Sequence, residues 1–255
     1  MRIAAFSDVH GNTPALRAVL EAIAEYDPDL VVNLGDIASG AVDPRGTLDL
    51  LRDHPEIVTV RGNHERQVLG LAGPLGGVDT IAAAVLTPPD VAWLSALPPR
   101  VEVAPGVLAF HGAPDDDLRY LLETVTRDGL REATDDEIVE RLGDAYGSYS
   151  LFLCGHTHLQ RRRRLPDGSV VVNPGSVGWP AYTDDHPYPH AVEAGTPHAR
   201  FTIIESVDAG WQVSAHAIRY DVDAAVASAK ANGRNDIAYA LSTGRNRPAP
   251  TLSGF

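Results

Sequence analysis

The chain has 255 residues and 27.2 kDa, enough for one large domain with a proper core and no need of covalent staples. Its formal net charge of −13 excludes a broad electrostatic grip on nucleic acid or on an anionic membrane surface. The single cysteine, Cys154, excludes an intrachain disulfide framework and a thiolate metal cage, and inside an apolar run it reads as a small buried hydrophobe. Asp8 arrives before any apolar run of signal-peptide length, and no apolar stretch of about 18 residues follows, so a cytoplasmic protein without a membrane partner is expected.

Residues 2–7 form a short apolar run ending in Asp8-Val9-His10-Gly11-Asn12, which predicts a buried strand delivering a polar loop. A helix follows, capped by Asn12 or Thr13, with Pro14 in its first turn and Leu16, Val19, Leu20 and Ile23 at helical spacing up to Asp27-Pro28. Leu30-Val31-Val32-Asn33-Leu34 reads as a second strand and ends in Gly35-Asp36. After a helix around residues 46–53, Ile57-Val58-Thr59-Val60 leads to Arg61-Gly62-Asn63-His64-Glu65. Val107-Leu108-Ala109-Phe110 then ends in His111-Gly112, and Leu151-Phe152-Leu153-Cys154 in Gly155-His156-Thr157-His158. All five runs deliver Asp, His or Asn at their C-terminal edge, where open α/β sheets bind ligands, so the polar clusters are expected to meet in one cleft.

From about residue 160 the texture becomes β-rich, with a Pro166-Asp167-Gly168 turn, and predicts a second sheet. Residues 114–147 carry helical patterns (Leu118, Leu121, Leu122 and Val125, then 135–142) and read as a helical insertion between two strands of the cleft. Residues 179–198 read as a long loop, and 221–255 as a C-terminal helix and tail. The domain itself is expected to span residues 1–220. The insertion and the loop are the segments expected to select the substrate, because the polar loops account only for a phosphate. The run Arg161-Arg162-Arg163-Arg164 reads as a strand whose arginines alternate between solvent and carboxylates, and His186, His190 and His198 read as solvated loop residues.

Asp8, His10, Asp36, Asn63, His64, His111, His156 and His158 together offer carboxylate, amide and imidazole donors, an oxygen and nitrogen set suited to Mn²⁺, Fe²⁺, Co²⁺ or Zn²⁺. The Asp-x-His and His-x-His spacings suit strand ends, where residues i and i+2 point the same way. The donors exceed the needs of one ion, so two ions about 3.5–4 Å apart are expected, with a carboxylate between them to offset their repulsion. Asp36, central in the order, is the choice for that bridge.

In this order the motifs resemble those of the calcineurin-like metallophosphoesterases: Asp8-x-His10, Gly35-Asp36, Gly62-Asn63-His64-Glu65, His111 and Gly155-His156-x-His158. The resemblance implies an α/β fold, a four-layer αββα sandwich with two packed mixed β-sheets flanked by helices. It implies that Asp8, His10, Asp36 and His158 hold one divalent ion and Asp36, Asn63, His111 and His156 the other. Manganese is the first choice, with Fe, Zn, Co or Ni as alternatives. His64 is left unligated, as the catalytic residue in reach of substrate. Where the protein serine/threonine phosphatases of this superfamily carry an Asp and an Arg after the metal-binding Asp, this chain has Ser39 and Gly40. Asn173-Pro174-Gly175-Ser176-Val177-Gly178 instead resembles an element of the small prokaryotic phosphodiesterase-like branch.

The expected activity is hydrolysis of a phosphodiester or phosphomonoester of a small, nucleotide-like substrate by a metal-bridging hydroxide, with His64 stabilising charge or protonating the leaving group. A protein phosphatase, a nuclease and a non-catalytic interaction module on the same scaffold are the alternatives.

Overall fold

The computed structural model describes residues 1–248; residues 249–255, the end of the expected tail, lie outside the described residues. Strands apolar on both faces can be buried only between two layers, and this constraint sets the architecture. β1 (Arg2–Phe6), β2 (Leu30–Asn33) and β3 (Val58–Thr59) run parallel. β13 (Ala199–Val207) and β14 (Gly210–Ile218) extend them antiparallel, giving the order β14-β13-β1-β2-β3. The second sheet, in the order β4-β5-β8-β10-β9, combines β4 (Arg100–Ala104), β5 (Val107–Phe110), β8 (Leu151–Leu153), β9 (Gln160–Arg164) and β10 (Val170–Pro174). Its three central strands are parallel and its two edge strands antiparallel.

Side-chain alternation then sorts the core. Ile3, Ala5, Val32 and Leu34 of the first sheet meet Val107, Ala109, Leu151, Leu153, Val170 and Val172 of the second. On the outer side of the first sheet, Ala4, Phe6, Phe201 and Ile203 pack against α1 (Thr13–Ala24), α2 (Pro44–Arg52) and α5 (Pro88–Ala96). On the outer side of the second, Leu108, Phe110, Phe152 and Val171 take Ile138 and Leu142 of α6 (Asp135–Leu142). The result is the four-layer αββα sandwich. Two short helices, α3 (Asn63–Val68) and α4 (Gly77–Ala83), connect β3 to α5. No helix among the described residues is long and apolar enough to cross a membrane.

Three segments depart from expectation. The strands after residue 160 do not form a sheet of their own: β9 and β10 complete the sheet of β5 and β8, while β13 and β14 join β1. The insertion is helical only in its second half, α6. Its first half is irregular and then a hairpin, β6 (Glu123–Thr126) and β7 (Gly129–Glu132), because Thr124, Val125 and Thr126 favour strand and Asp128-Gly129 supplies the turn. The expected loop at 179–198 contains a second hairpin, β11 (Ala181–Asp184) and β12 (His190–Glu193). The C-terminal part holds two helices, α7 (Val222–Ala231) and α8 (Asn235–Thr243), packed with α4 around Val78, Ala225, Ile237 and Leu241.

Asn173 to Gly178 tie the two sheets together at their C-terminal edge. Asn173 Nδ2 donates to the Gly155 carbonyl (2.7 Å) and to Thr157 Oγ1 (3.1 Å), holding the loop after β8. Ser176 Oγ donates to the Asp8 carbonyl (2.8 Å), and the Val177 and Gly178 amides donate to Ser7 (2.9 Å) and Asp8 (3.0 Å), holding the loop after β1. Asn12 joins this brace, capping α1 through its oxygen and donating to the Gly178 carbonyl. Gly178 is there because a Cβ would stand 1.7 Å from the Val9 carbonyl oxygen. Gly178→Ala is therefore expected to lower stability by about 2–3 kcal/mol, read as a shift in urea midpoint at unchanged m-value.

Candidate metal centre

All eight candidate residues come to one cleft, where the C-terminal ends of β1, β2, β3, β5 and β8 meet. Asp8, His10 and His158 form one group of ligand-type atoms, Asp36, His111 and His156 a second, and His10, Asp36 and His64 a third. The convergence of Asp8 with His10, and of His156 with His158, does not come from strand alternation, since these residues lie beyond the strands. Asp8, His10, Asp36, His156 and His158 all adopt left-handed backbone, with φ of 57°, 50°, 57°, 70° and 57°. Among the described residues the only other non-glycine there is Asp27. Such a conformation costs on the order of 1 kcal/mol or more per residue and persists where the surroundings over-determine it.

Backbone carbonyls fix which nitrogen of each ring faces inward. His10 Nδ1 donates to Ser39 O (2.6 Å), His111 Nδ1 to Leu34 O (2.7 Å) and His158 Nδ1 to Trp179 O (2.6 Å). Each therefore presents the Nε2 lone pair to the centre. His156 is turned the other way, with Nε2 donating to Leu118 O (3.1 Å) and Nδ1 facing inward.

The inward atoms of His10, His156 and His158 are acceptors, as are the Asp36 oxygens. His10 Nε2 and His158 Nε2 stand 3.1 Å apart, with Asp8 Oδ1 3.5 Å from the latter. His111 Nε2 lies 3.1 Å from Asp36 Oδ2 and 3.0 Å from the Asn63 side-chain amide. A crowd of buried lone pairs with too few protons between them fits divalent cations. Asp36 sits between the groups: Oδ1 accepts from the His64 amide (2.9 Å), while Oδ2 faces His111 and lies 3.9 Å from His10 Nε2.

With protons alone to balance them, these groups pull apart. Burial lowers His10 to about 4, His156 to about 3 and His158 well below the usual imidazole range, and it pushes the Asp8 carboxyl up. Burial also opposes charge on His111, but the adjacent Asp36 carboxylate outweighs it and lifts His111 to about 10.

His64, half-buried, has a different setting. Its Nδ1 donates to Asp79 Oδ1 (2.7 Å) on α4, and the same oxygen accepts from Ser39 Oγ (2.7 Å). Burial works against its protonation, yet the charge of Asp36 and the bond to Asp79 raise it to about 9.

Several contributors were not singled out in the sequence. Asp79 belongs to no motif, so nothing announced it. Glu65 was visible only as the last letter of Gly-Asn-His-Glu. Buried in full, it accepts from the amides of Asp36 (2.8 Å), Gly62 (2.8 Å) and Ile37 (2.7 Å), fixing the loop that carries Asp36. Trp179 and Tyr182 set their rings 4.9 Å from His10 and 4.7 Å from His158. His190, expected in solvent, is buried against Tyr120 because hairpin β11–β12 folds back on the cleft. Arg161 and Arg163 pair with Glu123, Glu132 and Asp135, the alternation expected of that strand.

A model of the calcineurin-like phosphoesterase superfamily domain matches residues 1–192. The chain belongs to this family. As a member it is a hydrolase of phosphoric esters. An uncharacterized protein of Methanocaldococcus jannaschii is 26% identical over 203 residues, 70% of this chain and 76% of that protein. The crystal structure of a metallophosphoesterase from Sphaerobacter thermophilus matches with a TM-score of 0.71 at 24% identity, covering 96% of this chain and 100% of that one. A hypothetical protein from Pyrococcus horikoshii OT3 gives 0.73 at 18% identity, over 96% and 99%. These two likenesses show the shared fold.

Removing the Glu65 carboxylate would orphan three buried amides, each costing about 1–3 kcal/mol. Glu65→Ala is expected to lose about 3 kcal/mol or more in chelator-treated protein, measured by urea denaturation, which separates the loop's own stability from any loss of metal.

Proposed function

We propose that this phosphoesterase is binuclear and acts on a small phosphodiester or phosphomonoester of nucleotide-like size. The observation that carries the reading is the set of inward acceptors, with Asp36 Oδ2 placed between two groups of imidazoles. Asp8, His10, Asp36 and His158 would hold one ion, and Asp36, Asn63, His111 and His156 the other. When bound, the pair supplies a water acidified to near neutrality as nucleophile and positive charge for the phosphoryl oxygens. Manganese is the proposed metal.

The protein's own groups divide the remaining work. Carbonyls of Leu34, Ser39, Leu118 and Trp179 hold the four imidazoles in their tautomers. His64, with Nδ1 on Asp79, keeps Nε2 for a substrate oxygen, where an imidazolium neutralises charge and returns a proton to the departing alkoxide. Asp79 orients that ring and favours its charged form.

Two features favour a small substrate. Gly40 admits no side chain, because a Cβ would stand 1.6 Å from the His10 carbonyl oxygen, so the arginine that the protein phosphatases carry there has no place. The one arginine-rich strand spends Arg161 and Arg163 on carboxylates, which supports a single phosphoester over a nucleic-acid backbone.

Saturation with Mn²⁺ is expected to load two ions per chain by metal analysis, and Asp36→Asn to lower that number. At most one ion, unchanged by Asp36→Asn, would overturn the binuclear reading. A screen of mono- and diester model substrates with Mn²⁺ should show turnover. His64→Ala should keep both ions and lower kcat by roughly 10²–10⁴, with Asp79→Asn less severe. Loss of an ion on substituting His64 would make it a ligand instead.

A further inference from the structure

The cleft that holds the candidate metal centre measures about 860 Å³, within the range of roughly 300–1,000 Å³ that takes a whole organic ligand. A phosphoryl group occupies only its inner end. What lines the rest identifies the other half of the substrate.

On one side stand Trp179 and Tyr182, 6.4 Å apart between ring centroids, each packed against an inward-facing histidine. The Tyr182 hydroxyl is already engaged, 2.7 Å from the Tyr120 hydroxyl and 3.3 Å from the His156 carbonyl it donates to. Tyr120 is in turn 3.0 Å from His190 Nε2. The two tyrosine rings are thus held in place by their own hydroxyls, and Trp179 is held by its packing against His10 and the α7–α8 cluster. Preordered rings of this kind bind a planar partner with little loss of side-chain freedom.

The far wall comes from the start of α8, through Ile237 and the preceding Arg234. Trp179 packs into the cluster that α7 and α8 build, so the two walls are one assembly. Three of the lining arginines have partners: Arg234 forks onto Asp236 (2.9 and 2.6 Å), Arg119 pairs with Glu140, and Arg141 donates to the carbonyls of Leu121 and Glu123, while Arg247 also lines the cleft. Asp184 adds negative charge to the same lining, and Glu123 is paired with Arg161. The Trp179–Tyr182 side of this lining accepts an uncharged flat group.

Resting on the phosphoesterase reading, we propose that Trp179, Tyr182 and the first turn of α8 form a subsite for a heteroaromatic ring, which makes the organic half of the substrate a nucleoside. Base stacking on a protein aromatic changes affinity by roughly 10- to 100-fold when the ring is removed.

Adenosine, which has no phosphate, tests the subsite without the metal centre. In calorimetry on chelator-treated protein, adenosine should bind the wild type, and Trp179→Leu should weaken it at least tenfold. Trp179→Phe should restore binding to within about threefold. Tyr182→Leu gives a second, independent loss should Trp179→Leu fail to fold. With Mn²⁺, the ratio of kcat/KM for adenosine esters to that for the matching glycerol esters should fall by roughly 10- to 100-fold in Trp179→Leu. No binding of adenosine to the wild type, or equal binding by wild type and both leucine variants, overturns the subsite. Turnover of both ester classes at an unchanged ratio also overturns it and leaves the phosphoesterase reading standing. Adenosine binding lost in Trp179→Leu, with no ester turned over by the wild type under any divalent ion, upholds the subsite and removes the phosphoesterase reading.

Discussion

Two imidazole nitrogens held 3.1 Å apart, each with its lone pair toward the other, set the terms for the rest of this molecule. His10 and His158 cannot relieve the contact by turning, because Ser39 and Trp179 hold the opposite nitrogens through their carbonyls. They resist relief by protonation as well, since burial keeps both imidazoles neutral. Where Asp36 and His111 converge the outcome is different, because the carboxylate keeps a proton on His111 that a cation would have to displace. A site of this kind stores unfavourable contacts that a cation reverses in sign, and the fold must hold it together until one arrives.

That holding is distributed over both sheets. Left-handed backbone at five of the site residues aims their side chains inward, and the strain is borne by cores with no freedom to relax. Glu65 locks the Asp36 loop from below, and Asn173 and Ser176 lock the loops after β8 and β1 from the side. Parallel strands make this economical. With β1, β2 and β3 in one sheet and β5 and β8 in the other, every chain end that carries a donor emerges at the same edge.

Most of this was legible in the sequence, for identifiable reasons. Apolar runs of four or five residues ending in Asp, Asn or His mark a strand and its functional terminus together, so the β1, β2, β3, β5 and β8 ends and their eight polar residues could be read directly. Sheet membership could not be. Arg2 pairs with Glu205 and Arg164 with Val170, and nothing local distinguishes the distant partner from the near one. Leu118, Leu121, Leu122 and Val125 fit a helical period, yet tertiary pairing gives Glu123 to Thr126 to a hairpin, whose local signal is Asp128-Gly129. Asp79 was invisible for a different reason. Its role depends on α4 being carried back beside His64, a placement set by packing and not by spacing.

Trp179 shows how the two halves of the cleft are coupled. Its carbonyl fixes His158, its ring packs against His10, and its far side enters the cluster around α7 and α8. The family match ends at residue 192, so the helices that brace this tryptophan follow the matched residues while touching a residue that orients the centre. A change of packing under α8 would therefore reach two functions at once: the shape of the outer cleft through the indole, and the direction of the His158 lone pair through the backbone of the same residue. Elsewhere in the fold the donors sit on strand ends and the cleft walls on later hairpins and helices. At Trp179 the two meet, since one residue carries both the carbonyl that holds His158 and the ring that lines the cleft.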